Sequence, residues 1–176
     1  MQARTAASFR EAASGLPAGI ALRDERDDDL PFLRDLYAST REQELAPVPW
    51  SDQQKRAFLD SQFGLQRQQY RAHYAGAEWL VIERATAAIG RLYLWRGASD
   101  LRLMEIALLP AQRNAGIGTR IVEAVLDWAD REQLAVSLHV EPFNPAYRLY
   151  TRLGFVHVHS TGVHHRLERP LRAASR

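Results

Sequence analysis

The segment from Leu103 to Gly118, with the sequence LMEIALLPAQRNAGIG, constrains the fold of this chain more than any other. An apolar, strand-like run ends at Pro110, and a turn that contains Gly116 and Gly118 follows it. Residues 117–131 then place apolar side chains three and four positions apart, which is the period of an amphipathic helix. The sequence therefore predicts a strand, a glycine-containing loop and a helix in direct succession.

The predicted loop, residues 113–118, has the composition of an anion-binding site. Glycine lets backbone amides approach a ligand closely, and the first N–H groups of a helix have no partner within the helix. Such a terminus favours a phosphate, and Arg113 adds a positive charge beside it. A pyrophosphate suits this loop, although a plain helix-start turn without a ligand is the alternative.

Two motifs resemble those of the GNAT acyltransferase superfamily. Residues 113–118, RNAGIG, resemble its R-x-x-G-x-G coenzyme A loop, and like that loop they directly follow a strand, here ending in Leu108-Leu109-Pro110. Residues 144–155, NPAYRLYTRLGF, resemble its N-x-A-x-x-L-Y-x-x-x-G-F segment. The two motifs occur in the family's order, and the resemblance covers about residues 19–169.

The resemblance implies an α+β fold, with a mixed central sheet of about six to seven strands, a splayed pair of fourth and fifth strands, and flanking helices. The residues agree, because consecutive strand-forming runs at 79–83 and 88–95 favour an antiparallel meander. The strand, helix, strand order of residues 101–141 instead requires a right-handed parallel crossover. We expect one domain over residues 19–170, a flexible N-terminus over 1–18 and a frayed C-terminus over 171–176.

The resemblance also implies acetyl-coenzyme A as co-substrate. The loop amides would hold the pyrophosphate, the splayed end of the strand would hold the pantetheine arm, and Asn144 would either contact that arm or only cap its own helix. The implied cofactor-binding residues are Ile106, Ala107, Leu108, Arg113, Asn114, Ala115, Gly116, Ile117, Gly118, Thr119, Asn144 and Tyr150.

Transfer of an acyl group to an amine requires a base and an acid. An alkyl amine has a solution pKa of about 10, so it must lose a proton before it attacks. Glu105, on the donor-binding strand, and His139, on the polar face of the next strand, are the candidate bases, each also explicable by ordinary packing or exposure. Tyr150 matches the tyrosine that many family members place beside the thioester sulfur, where it would protonate the leaving thiolate; the alternative is that it only packs.

Composition excludes several kinds of chemistry. The chain has 176 residues and no cysteine, so a thiolate metal site and a cysteine acyl-enzyme are excluded, and direct attack within a ternary complex is expected. The net charge is only +2 without a basic cluster, which argues against nucleic acid as a partner. The N-terminal segment has no continuous apolar run of the kind found in secretory signals and membrane anchors, so we expect a cytoplasmic protein that does not associate with membranes. A homodimer is possible on the sequence alone.

The acceptor is expected to be an amine on a small molecule, an amino acid or a peptide. Glu42, Glu44, Trp50 and Tyr70 fall in the region that covers the acceptor pocket in the GNAT family, although each suits an ordinary surface or packing role. No metal is expected, and a zinc site among the histidines of residues 157–165 is the alternative. The competing function is a catalytically silent acyl-coenzyme A binding module, because the loop specifies binding and not turnover.

Overall fold

The structure, a computed structural model, describes residues 7–172 of the chain. In that part a seven-stranded sheet is flanked by α-helices. The elements are α1 Phe9–Ala12, β1 Ile20–Asp24, α2 Leu30–Leu45, α3 Asp52–His73, β2 Glu78–Arg84, β3 Ala87–Arg96, β4 Asp100–Leu108, α4 Ile117–Arg131, β5 Ala135–Val140, α5 Ala146–Arg152, β6 Val156–Thr161 and β7 His164–Arg169.

The sheet is mixed, with the strand order β1-β2-β3-β4-β5-β7-β6. Strands β1 to β4 form an antiparallel meander, and β4 pairs with β5 in parallel after the crossover through α4. Strand β7 joins β5 antiparallel, and β6 closes the edge of the sheet as the hairpin partner of β7. These pairings confirm the predicted α+β fold and mixed sheet.

Helix α4 covers one face of the sheet with the apolar stripe that its sequence predicts. Ile121, Val125 and Ala129 are fully buried, and they belong to one core cluster with Leu92 of β3 and Val136 of β5. Burial of an aliphatic side chain of this size stabilises a fold by about 1.5–3 kcal/mol. The stripe therefore fixes the loop before α4 against the end of β4.

Helices α2 and α3 pack together on the opposite face. Side chains alternate along β3, so Arg91 and Tyr93 point away from the cluster that contains Leu92. The Arg91 guanidinium accordingly lies over the rings of Tyr37 in α2, at 5.9 Å, and Phe63 in α3, at 6.0 Å. Polar groups of β3 and β4 therefore face these two helices.

A buried carboxylate fixes the second half of α3. Ser51 and Gln54 form a capping box at its start, and the helix continues through Gly64 to His73 without interruption. The Glu25 side chain, only 1% exposed, then accepts hydrogen bonds from Arg67, Arg71 and the Tyr93 hydroxyl. Each of these contacts is charge-assisted, which makes it stronger than a neutral hydrogen bond.

Part of the N-terminal segment that was expected to be flexible has regular structure. Residues 9–12 of the segment predicted to be flexible form α1, which Ser8 caps through a capping box with Glu11. Phe9 is fully buried, with its ring centroid 5.5 Å from that of Trp128 in α4, and its N–H donates to Glu78 Oε1 at 2.7 Å. A single aromatic residue in an Ala/Ser-rich stretch gives no periodic signal from which this helix could be predicted. Residues 1–6 and 173–176 lie outside the described part of the chain, and the single domain over 19–170 stays a prediction.

Candidate active site

Strands β4 and β5 separate after three paired positions. Asp100, Leu101 and Arg102 pair with residues 135–137, and no pairing continues beyond Arg102. Residues 103–108 of β4 keep only their antiparallel partners on β3. The predicted splayed pair is therefore confirmed, and it leaves a wedge with one open edge of β4, where a ligand can take backbone hydrogen bonds.

The loop at the open end of β4 presents a row of unpartnered amides. The N–H groups of residues 114–119 donate no hydrogen bond within residues 7–172, and residues 113–116 are exposed. Asn114 and Gly116 adopt left-handed backbone conformations, with φ of +61° and +79°. A Cβ added at Gly116 would meet nothing within 4 Å, so glycine serves the backbone angle and leaves the approach to the amides open. These residues fit a pyrophosphate group at the start of α4.

Arg113 contacts the protein itself in this structure. Its Nε donates to the Leu108 carbonyl at 2.9 Å, and its Nη2 donates to Ser39 Oγ in α2 at 3.2 Å. The side chain thereby ties the end of β4 to α2 and closes one side of the loop. A charge contact between Arg113 and a bound pyrophosphate stays a prediction.

Tyr150 lies in α5 with a buried ring and a hydroxyl that is not completely enclosed. The ring centroid is 5.6 Å from that of Phe155, and the residue is 7% exposed. The hydroxyl makes no hydrogen bond within the described part of the chain. Burial, and secondly the negative charge of Glu105, raise the pKa of Tyr150 to about 12. The phenol is therefore protonated at neutral pH and available as a proton donor.

Asn144 closes the start of α5. Its Oδ1 accepts a hydrogen bond from the Ala146 N–H at 2.9 Å, and Pro145 occupies the N-cap position. The structure thus contains the capping contact that the sequence suggested. Contact of Asn144 with a donor arm stays a prediction.

Glu105 faces α3 from the open part of β4. Its side chain is 24% exposed, and Oε2 lies 3.5 Å from Nη2 of the buried Arg91. The charge of Glu105 raises the pKa of both Tyr70 and Tyr150, after burial, which is the larger cause for each. Glu105 is therefore a carboxylate that lies near both tyrosines and remains accessible to solvent.

His139, the other candidate base, already uses one ring nitrogen. Arg102 Nη2 lies 2.7 Å from His139 Nδ1, and because a guanidinium only donates, Nδ1 accepts and the ring proton is on Nε2. Although His139 is an exposed residue, partial desolvation by its neighbours, assisted by the positive charges of Arg102 and Arg166, lowers its pKa to about 4. The imidazole is therefore neutral at pH 7, and its second nitrogen is a hydrogen-bond donor.

The remaining sequence candidates divide between site and surface. Tyr70 is half-buried and close to Glu105, whereas Trp50 is 42% exposed and packs against Phe58. Glu44 forms an exposed ion pair with Arg41 at 3.0 Å. Glu42 is exposed.

Sequence reasoning missed Arg91, Arg102 and Tyr74. Simple alternation places Arg102 and Glu105 on opposite faces of β4, because they are three residues apart. A β-bulge between them shifts the register, so that Glu105 opposes Tyr93 and Arg102 opposes Trp95. Both side chains consequently share the face that α3 covers. The alternation of Arg91, Tyr93 and Trp95 on β3 was the signal available in the sequence.

The described residues show neither a metal cluster nor a membrane span. No group of three or more His, Asp or Glu side chains within residues 7–172 is arranged to hold a metal ion. In the same range, no helix combines the length and the apolar character needed to cross a bilayer. The hairpin histidines contact one another, with the His157 and His165 rings 4.7 Å apart, but they do not form such a cluster.

Comparison with known proteins supports the sequence motifs. A family model described as the acetyltransferase (GNAT) family matches residues 30–155. No curated protein matched the chain. The fold is similar to that of the PaiA N-acetyltransferase from Thermoplasma acidophilum in complex with coenzyme A, with a TM-score of 0.65 and 18% identity, covering 86% of this chain and 98% of that one.

Two further solved structures have the same fold. The spermidine N-acetyltransferase from Vibrio cholerae, in complex with coenzyme A and spermine, matches with a TM-score of 0.59 and 20% identity, covering 86% of this chain and 95% of that one. The ribosomal-protein-S18-alanine N-acetyltransferase from Escherichia coli matches with a TM-score of 0.58 and 17% identity, covering 89% and 96%. At these identities the likeness shows the fold alone.

Proposed function

Since the chain belongs to the acetyltransferase (GNAT) family, we propose that it transfers an acetyl group from acetyl-coenzyme A to an amine within a ternary complex. The observation that carries the proposal is the row of unpartnered amides at residues 114–119, directly beyond the open edge of β4. An anionic donor with a long arm fits these two features together, because the amides suit its pyrophosphate and the strand edge suits its amide groups. Acetyl-coenzyme A would supply the activated thioester.

In this proposal Glu105 removes the proton from the amine. A primary amine with a pKa of about 10 arrives as ammonium, and a carboxylate within reach, directly or through one water, accepts its proton. Glu105 is preferred to His139 because its carboxylate can accept a proton, while the free nitrogen of His139 already carries one. For His139 to act as a base, it would have to release Arg102.

Tyr150 serves as the acid in the same proposal. The new N–C bond forms as the C–S bond breaks, Glu105 takes the proton from the amine, and Tyr150 gives its proton to the departing sulfur. A thiol has a pKa of about 8.5, and the pKa of Tyr150 is about 12, so this transfer is completed only when solvent or Glu105 restores the phenol. The unpartnered hydroxyl and its closeness to Glu105 support this role.

An amine-panel assay with the full chain tests the proposal. We expect acetyl-coenzyme A to bind, and thiol release to depend on an amine, with sequential kinetics, because no cysteine is present to form a covalent intermediate. Binding without thiol release for any amine would instead identify a silent acyl-coenzyme A binding module. Absence of calorimetric heat with coenzyme A and its acetyl ester would refute the donor site itself.

A further inference from the structure

Arg102 contacts neutral side chains at the point where β4 and β5 separate. It occupies the last paired position of β4, where the wedge begins, and its guanidinium donates to the Tyr74 hydroxyl at 3.0 Å and to His139 Nδ1 at 2.7 Å. Both partners are neutral, and no carboxylate within residues 7–172 forms an ion pair with Arg102. By contrast, Arg91 pairs with Glu105 at 3.5 Å, Arg41 with Glu141 at 3.3 Å, and Arg166 with Glu168 at 2.6 Å.

The groups around Arg102 add further donors. His139 points an Nε2–H that has no partner in the described part of the chain, because Nδ1 accepts from Arg102. The Tyr70 hydroxyl likewise forms no hydrogen bond there, and burial raises its pKa, so it keeps its proton. The guanidinium of Arg102 and the imidazole of His139 therefore lie side by side at the start of the wedge, and their N–H groups together suit an anion.

Arg102 lies three residues from Glu105 on the same strand, β4, and on the same face of the sheet. The charges of Glu105 and Arg102 both act on Tyr70, in opposite directions, and the charge of Glu105 also acts on Tyr150. Three residues of a strand span about 10 Å, and the bulge shortens this distance. An acceptor with its amine at Glu105 would reach Arg102 with a group several bonds away.

We propose that the acceptor carries a carboxylate in addition to its amine, and that Arg102, with the Nε2–H of His139, binds that carboxylate. The inference rests on the proposed acetyl transfer to an amine, and it narrows the acceptor to amino carboxylates. A guanidinium carries a positive charge opposite to that of a carboxylate, and its parallel N–H donors can bind both carboxylate oxygens. A polyamine offers Arg102 no anion, and its second ammonium group would be repelled there.

Calorimetry on the protein saturated with coenzyme A tests this inference without requiring turnover. The ligands are ω-amino carboxylates from glycine to 6-aminohexanoate, each compared with the n-alkylamine of the same chain length. We expect one or more carboxylates to bind about 10-fold to 100-fold more tightly than the matched amine, as for a charge-assisted contact. Equal or undetectable binding of both ligands at every chain length would overturn the inference.

Substitutions of Arg102 assign the preference to this side chain. In Arg102→Gln we expect the carboxylate and the matched alkylamine to bind with about equal affinity. In Arg102→Lys we expect part of the carboxylate preference to return, because lysine restores the positive charge but not the planar, paired N–H donors of the guanidinium. Arg34→Gln is the control, since Arg34 is an exposed arginine of α2, and its loss leaves the ratio unchanged. Coenzyme A binding by each variant reports that the donor site is folded, and a preference that survives in Arg102→Gln refutes the assignment.

The two proposals fail separately. A carboxylate preference in binding, without thiol release from acetyl-coenzyme A, would refute acetyl transfer and retain the anion site. Thiol release with alkylamines and carboxylates alike would retain acetyl transfer and refute the anion site.

Discussion

The substitution Tyr150→Phe tests whether the Tyr150 hydroxyl donates a proton to the departing sulfur in the proposed reaction. It removes a hydroxyl that has no protein partner within residues 7–172, and it keeps the ring that packs against Phe155 at 5.6 Å. The free energy of unfolding should therefore change by less than about 1 kcal/mol. A general acid contributes about 10²-fold to 10⁴-fold, which corresponds to about 2.7–5.4 kcal/mol of activation free energy.

The assay measures kcat, the calorimetric affinity for acetyl-coenzyme A and the thermal midpoint of the variant. We expect kcat to fall by at least about 100-fold, while affinity and midpoint hold. Because burial raises the pKa of Tyr150 to about 12, loss of its proton should not limit the wild-type rate between pH 7 and 10. The control is Tyr147→Phe, which removes the other tyrosine hydroxyl of α5 at a half-buried position. A Tyr150→Phe variant within twofold of wild type in kcat would remove this residue from the mechanism.

Three further predictions concern the donor loop, the N-terminus and pH. Gly116→Ala places a side chain at φ +79°, which costs about 1–2 kcal/mol locally, and calorimetry should show weaker binding of coenzyme A. Phe9→Ala removes a fully buried ring from its contact with Trp128 and should lower the free energy of unfolding by about 3–5 kcal/mol in urea titrations. The pKa of His139 is lowered from 6.5 to about 4, so the unfolded chain binds more protons between these values, and stability should fall as pH drops from 6.5 to 4. His139→Asn should weaken this dependence.

Each of these predictions has a matched control. Gly64→Ala lies within α3 in open space, without a positive φ, and should leave coenzyme A binding intact. Phe143→Ala alters a ring that is 98% exposed, so a stability loss equal to that of Phe9→Ala would contradict the burial argument. For the pH prediction, an identical pH dependence of the free energy of unfolding in wild type and His139→Asn would show that the pKa of His139 is not lowered as described. Unchanged coenzyme A affinity in Gly116→Ala would show that the loop does not require the left-handed backbone.

The elements of this fold were predictable where the signal was local. The stripe of α4, the capping box at Ser51 and the glycines before α4 each identify an element from neighbouring residues alone. The splayed strands, by contrast, were expected because of a family resemblance. The spacing of apolar residues along the chain does not indicate where the pairing between β4 and β5 stops, because that pairing depends on contacts between segments distant in sequence.

The candidate site was harder to predict because it depends on register. Arg102 and Glu105 share a face because of one bulge in β4, and no residue type in that stretch indicates that a bulge is present. The protonation of His139 also depends on a partner 37 positions away in the chain. Sequence reasoning therefore named the candidate bases, while the contacts that distinguish them arise only on folding.

The buried carboxylate of Glu25 has a consequence for which acceptors can enter. Arg67 and Arg71 are one helical turn apart, on either side of Tyr70, and both donate to a side chain that is 1% exposed. Sliding or rotating this end of α3 would leave that charge unpaired away from water, which is strongly unfavourable. This end of α3 therefore resists displacement, and in the proposed reaction a bulky acceptor entering beside it would have to fit the gap as it stands. In the proposed reaction, selection of the acceptor by its width would then follow from one anchored carboxylate.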